Sequence, residues 1–113
     1  MVHGLTGERV LMRIHLGERD KHQGHPLHEA ILHLLRERHL AGATVLRAIA
    51  GFGATARLHT DRVLRLSLDL PIVIECVDTE EKIEAILPEL DQMIGGGLIT
   101  LEKVRVIVYR PET

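Results

Sequence analysis

Aromatic side chains are almost missing from this chain. Of its 113 residues one is phenylalanine (Phe52), one is tyrosine (Tyr109) and none is tryptophan. A protein that binds single-stranded nucleic acid needs aromatic platforms for the bases, and here there is almost nothing to stack on. Charge of one sign is lacking too. Fourteen Lys and Arg stand against sixteen Asp and Glu, for a net charge of −2 with neutral histidines. The basic residues are spread along the chain rather than clustered, which argues against a nucleic-acid partner. Cysteine occurs once, at Cys76, so an intrachain disulfide and a multi-cysteine zinc site are both excluded. Within "IVIECV" that thiol reads as a small core residue. No apolar run approaches the ~18 residues a membrane span needs, and "MVHGLTGERV" lacks the basic-then-apolar pattern of a signal segment. The expectation is a cytoplasmic protein with no membrane insertion.

What the chain has is aliphatic. Hydrophobic residues make up 45 %, enough for a packed core built from Leu, Ile and Val, and the length fits one domain over residues 1–113. In residues 8–16, "ERVLMRIHL", Val10, Met12, Ile14 and Leu16 alternate with Leu11, Arg13 and His15, the period of a strand. The polar stretch "GERDKHQGH" reads as a loop. Pro26 suits the first turn of a helix, in which Leu27, Ala30, Ile31, Leu34 and Leu35 recur at helical spacing until Gly42. Residues 43–50 form a second strand. From Leu64 to Ile74 alternation returns, as one long strand interrupted at Pro71 or as a helix over Asp61–Leu68 followed by a shorter strand. "DTEEKIEAILPELDQMI" is a second helix with Asp78 as its cap and Glu81 three residues on. Pro88 lies inside it and is expected to kink it. Gly95, Gly96 and Gly97 stop it, and residues 98–110 make a last strand with Val104, Val106 and Val108 on one face.

The order β-α-β-β-α-β predicts a ferredoxin-like α+β sandwich: a four-stranded antiparallel sheet with both helices on one face. Val73, Val77, Leu11 and Ile107, mixed with Arg13, His15, Glu75 and Arg105, are expected on the uncovered face. A partly apolar open face points to another copy of the sheet packing there.

Two glycine turns stand out: Gly51-Phe52-Gly53 after the second strand, and Gly95-Gly96-Gly97 before the last. In this topology both can approach one edge of the sheet. Successive glycines can turn backbone N–H groups inward to hold an anion, and they let a ligand come close. A helix stop followed by a tight turn asks for the same residues. Neither turn matches the phosphate loop or the dinucleotide pattern.

The segments "GHPLHEAILHLLRERHLAGATVLRAIAGFG", "DLPIVIECVDTEEKI" and "MIGGGLITLEKVRVI" resemble the PII-like family known as domain of unknown function 190. More distantly, "GFG", "LPIVIECVD" and "IGGGLITLEKVRVIV" resemble the PII nitrogen-regulatory signal proteins. The resemblance implies a homotrimer binding adenine nucleotides in clefts between subunits, with the excursion of residues 54–69 docking on a partner such as a membrane transporter or channel. By position, it places Gly51 and Gly53 on the base or ribose side, Gly95, Gly96 and Gly97 on the phosphate side, and Phe52 as a packing or gating side chain that anchors the turn. Arg110, beside Tyr109, is the near match to the PII basic residues close to the C-terminus. PII proteins carry Asp and Lys where this chain has Gly96 and Leu98, so AMP or ADP fits better than a triphosphate, and no cofactor is required.

Eight histidines support an alternative, a divalent-metal-binding trimer of the cation-tolerance type. His22, His25 and His28 fall at three-residue intervals, His33 follows, and Glu18 and Asp20 share the loop with His22. The spacing matches no finger or HExxH pattern. Nothing in the chain has the arrangement of an enzyme: there is no nucleophile elbow, and Glu80 and Glu81 sit at a helix start, where the dipole favours them. In the excursion Arg57, His59, Arg62 and Arg65 read as a solvated or partner-facing stretch.

Overall fold

In a computed structural model of the chain, residues 5–52 and 70–111 are described. The alternating run at the start forms β1 (Gly7–Gly17). It is followed by a two-residue hairpin, β2 (Lys21–His22) and β3 (His25–Pro26), where a plain loop was expected. Then come α1 (Leu27–Glu37), β4 (Thr44–Arg47), β5 (Pro71–Asp78), α2 (Glu80–Met93) and β6 (Leu98–Val106). The main sheet has the order β4-β5-β1-β6 and is antiparallel throughout, the ferredoxin-like arrangement.

Period-two burial explains which side is which. Val10, Met12, Ile14 and Leu16 of β1 and Ile72, Ile74 and Cys76 of β5 point to one face. There they meet Leu27, Ile31 and Leu35 of α1 and Ile83, Ile86 and Leu90 of α2 in one apolar cluster. Each of these side chains is almost wholly removed from water, which is worth roughly 1.5–3 kcal/mol for a Leu or Ile. Burial also pushes the Cys76 thiol up to about 12, so it is a packing residue rather than a nucleophile.

The opposite face carries Leu11, Arg13 and His15 of β1 beside Val73, Glu75 and Val77 of β5. Register adds Leu46 from β4 and Leu98, Thr100 and Glu102 from β6. Arg13 sits at its centre, its Nε 2.9 Å from Glu75 and its Nη1 2.9 Å from Glu102. Two residues expected here lie elsewhere. Arg105 pairs with Glu8, in phase with Val10 and so with the helix face, and Ile107 follows the end of β6. Val108 likewise lies beyond that strand.

Several boundaries differ from expectation for local reasons. Helix α1 ends well before Gly42: His39 adopts a positive φ of 63° in the role usually given to glycine, and the Leu40 N–H donates to the Leu35 carbonyl. The cap of α2 is Thr79, whose hydroxyl accepts from the Lys82 N–H. Asp78 is instead buried, accepting from the Thr79 N–H at 2.7 Å and from the Ala41 N–H at 2.8 Å. It ties the end of the α1–β4 connection to the start of α2. Pro88 does not break α2, which runs through it with the proline ring on the exposed side. Pro71 opens β5, where its missing N–H removes no interior ladder bond. The long strand or helix anticipated over residues 61–69 lies outside the described residues.

Candidate functional site

Both glycine turns are at the same end of the sheet. Strand β4 runs toward Gly51, and its Ala48 N–H donates to the Pro71 carbonyl at 2.9 Å. Pro71 pairs with Gly17 at the end of β1. On the other side of β1, His15 pairs with Leu98, the first residue of β6. The end of the sheet therefore reads Gly51, Pro71, Gly17 and Leu98 from edge to edge. Three inter-strand spacings, about 14 Å, separate its two flanks.

The glycines on this rim have different physical reasons. Gly51 has φ +155°, and a Cβ there would lie 3.0 Å from Cγ of Pro71. At Gly97, also with φ +155°, a Cβ would lie 2.6 Å from the backbone oxygen of His15 and 3.2 Å from Cγ2 of Ile94. Gly97 thus lets the chain leave α2 and pass directly over the end of β1. A Cβ at Gly95 would meet nothing within 4 Å. Of the three, Gly95 is the glycine that packing among the described residues does not require.

Phe52 is 69 % exposed and Ile49 is 92 % exposed. Phe52 does not anchor its turn against the described residues, contrary to expectation. Gly53 lies outside them. Gly96 sits in the bend between Gly95 and Gly97. Arg110 is not brought to this end at all. Strand β6 starts beside His15 and finishes with Val106 opposite Gly7, so Arg110 follows the far end of the sheet.

The rim is polar but internally compensated. Arg47 meets Glu18 at 2.5 Å, and the Gly17 N–H donates to Asp20 at 3.0 Å. The other oxygen of Glu18 is buried and has no hydrogen-bond partner among the described residues. The pairing of Glu18 with Arg47 carries no signal in the sequence, because the two are brought together only by the closure of β4 and β1 around β5.

The histidines are arranged differently from a loop cluster. His22 and His25 are direct cross-strand neighbours in the β2–β3 hairpin. They line a cleft of about 720 Å³ against α1 and α2, together with His33, Glu29, Glu37, Glu89, Gln92 and Met93. His28 is not among its lining residues; its Nδ1 is buried and has no hydrogen-bond partner among the described residues. Among the described residues no three His, Cys, Asp or Glu side chains stand close enough together to hold a metal ion. No helix among the described residues is long and apolar enough to cross a membrane.

Comparison with known proteins agrees with this architecture. The model of the DUF190 family (Uncharacterized ACR, COG1993) matches residues 9–106. A "UPF0166 protein" of Aquifex aeolicus is 42 % identical over 100 residues, 88 % of this chain and 94 % of the relative. A "UPF0166 protein" of Methanocaldococcus jannaschii is 38 % identical over 104 residues, covering 91 % and 94 %. Among solved structures, a putative PII-like signaling protein of Thermus thermophilus superposes with a TM-score of 0.63 at 18 % identity, covering 89 % of this chain and 91 % of its own. CPII, a nitrogen regulatory PII-like protein of Thiomonas intermedia bound to ADP, AMP and bicarbonate, gives 0.57 at 16 %, covering 88 % and 94 %.

Proposed function

Because the chain belongs to the DUF190 family, we propose that it is a PII-like regulatory protein whose ligand is an adenine nucleotide, AMP or ADP, bound at the glycine-lined end of the sheet. The observation that supports this is that the Gly51-Phe52 and Gly95–Gly97 turns lie at the same end of the sheet, on its two flanks, in a fold shared with a protein solved with ADP and AMP. Gly95 would let the phosphate approach the backbone, where inward N–H groups form an anion nest. Gly51, Phe52 and Gly53 would lie on the base or ribose side. The lack of a lysine at Leu98 favours the less charged nucleotides.

Arg110 reaches this rim only from a neighbouring copy, since in its own chain it follows the opposite end of β6. A closed ring of copies meets that requirement, and the smallest ring beyond a two-fold pair is a trimer. The open face of the sheet supplies the contact. In this reading the protein is a cytoplasmic binding protein of one domain rather than an enzyme. It needs no resident cofactor, and ligand occupancy biases residues 54–69 toward the conformation that engages a transporter or channel.

Thermal-shift and calorimetric titration with AMP, ADP and ATP test this. A nucleotide at 100 times its dissociation constant should stabilise the folded assembly by roughly 2.7 kcal/mol per site, with AMP or ADP ahead of ATP. A chain whose unfolding is indifferent to all three nucleotides would overturn the proposal.

A further inference from the structure

The helix face carries a surface that the glycine-lined rim does not use. We propose that the cleft between the β2–β3 hairpin and the two helices docks a short extended segment of a partner protein, with a basic residue at each end and an aliphatic one between, in the pattern Arg-x-Leu-x-Arg.

The walls follow from how the helices pack. Both aim their buried stripes down at the sheet, so the flanks they turn toward each other stay open to solvent and form a cleft of about 720 Å³, within the range of specific binding sites. Ala30 and Leu34 of α1 and Met93 of α2 make its floor. Leu34 and Met93 rest on the core and are only half-buried, and a methionine adapts to the shape of an incoming aliphatic group. The hairpin is the third wall. Gln23 and Gly24 have positive φ, 52° and 84°, as in a tight type I′ turn. The Leu27 N–H, donating to the Asp20 carbonyl at 2.8 Å, anchors the hairpin to the start of α1.

The charge pattern selects the occupant. Among the described residues the lining holds no lysine or arginine, but it holds Glu29, Glu37 and Glu89. These carboxylates are spread out rather than gathered. Glu29 and Glu37 are eight residues apart on α1, which is about 12 Å along the helix axis. Glu89 joins Glu37 at the far end, where Arg38 holds Glu89 at 2.9 and 2.6 Å and lies 4.0 Å from Glu37. Arg38 offsets one charge there. One net negative charge is left at each end of the cleft, with the apolar floor between.

Separated charges suit a ligand whose own charges are separated. In an extended chain, residues i, i+2 and i+4 leave the same face, and the outer two stand about 13 Å apart. Basic residues at i and i+4 then meet the two acidic ends, and an aliphatic residue at i+2 falls over Leu34 and Met93. Arginine fits better than lysine, because its fork matches a carboxylate. No wall has to move: Glu29 is exposed, and the side chains of Glu37 and Glu89 are 54 % and 44 % exposed. The amides of Gln23 and Gln92, on opposite walls, can pair with the segment's backbone. The cleft is on the helix side of the sheet, away from the open face proposed for assembly, so docking and assembly do not compete.

Fluorescence anisotropy of a labelled Arg-Ser-Leu-Ser-Arg peptide, titrated with the full chain at low salt and without nucleotide, tests the surface. Saturation at one peptide per chain is expected. Arg-Ser-Ser-Ser-Arg should bind about fivefold more weakly or worse, because the floor loses its aliphatic contact. Glu29→Lys should weaken the leucine peptide by about tenfold or more. One of the two peptides in which a single Arg is replaced by Glu should then recover binding to that variant, which also shows that its fold is retained. Glu84→Lys, an exposed change on α2 outside the cleft, should leave the affinity as it was. Absence of saturable binding overturns the proposal, as does a Glu29→Lys chain that binds the leucine peptide unchanged. So does an equal loss in Glu84→Lys, which would mean general charge attraction, or a leucine that makes no difference. Spermidine that displaces the peptide at equal concentration would make this a site for small polycations and would overturn it too.

Discussion

At the scale of the residue, Gly97 and Gly95 make separable predictions. Gly97→Ala would force a Cβ to within 2.6 Å of the His15 oxygen, a backbone atom that cannot swing aside, and at an unfavourable φ. It should cost well over 1 kcal/mol of stability and is a poor probe of ligand contact. Gly95→Ala meets open space. It should leave the melting temperature within about 2 °C, yet lower ADP affinity by more than tenfold, over 1.4 kcal/mol, if phosphate approaches there. Calorimetry on folded Gly95→Ala measures this directly, and unchanged affinity would make the turn a helix stop only. Cys76 makes a pH prediction. Its folded-state value is raised from 9.0 to about 12 by burial first and the nearby Asp78 carboxylate second. As pH climbs, the unfolded chain loses this proton before the folded one does. The thiol's contribution is thus intact below about pH 9 and is lost between there and about 12, with a slope of at most about 1.4 kcal/mol per pH unit. Denaturant titrations of the native chain and of Cys76→Ala over that window should differ in slope, the variant being flatter.

At the scale of the element, α2 offers the clearest test. Pro88 has no N–H for the carbonyl one turn back, and its ring lies on the wet side of the helix. Pro88→Ala should restore that bond without disturbing Ile83, Ile86 or Leu90, and should stabilise by about 1–3 kcal/mol. A loss of stability in chemical denaturation would mean that the proline is accommodated by something more than solvent. The elements also show what the sequence could and could not reveal. Strands β1 and β5 were legible because each buries one face and wets the other, so a strict period of two appears in Val10 to Leu16 and in Ile72 to Cys76. The β2–β3 hairpin was not, because two-residue strands carry no period and its turn begins with glutamine at positive φ. Strand β6 was legible as a strand but not in its facing. It is an edge, and Leu101 and Val104 are both partly wet although they lie on opposite sides. The end of α1 was misplaced because His39 does what Gly42 was expected to do. In the candidate site, the expectation that both turns approach one edge gives way to a shared end of the sheet with the turns on opposite edges, because β4 and β6 are its two outermost strands. The need for glycine at Gly97 was not legible, since it comes from the His15 carbonyl, remote in sequence.

At the scale of the whole molecule, the open face predicts assembly. Leu46, Val73 and Leu98 form a row across the sheet with His15, and Leu11 and Val77 lie next to Arg13 with its two carboxylates. Light scattering at micromolar concentration should report about three chains. Val73→Asp, which adds a charge to that row without touching the core, should dissociate them, and a wild-type monomer would remove the basis for a shared cleft. The sheet order has a further consequence for the order of events in time. Strand β1 is made before both of its partners yet occupies the interior of the sheet. Its partners are β5 and β6, and its first residue pairs with Val106. Local contacts can form the hairpin and α1 early. The row of Val10, Met12, Ile14 and Leu16 must wait, unpaired on both sides, until β5 and then β6 have left the ribosome. Such distant pairings make folding slow and leave an apolar strand exposed to other nascent chains. The interval between the synthesis of β1 and that of β6 is thus one in which chaperone protection of β1 matters.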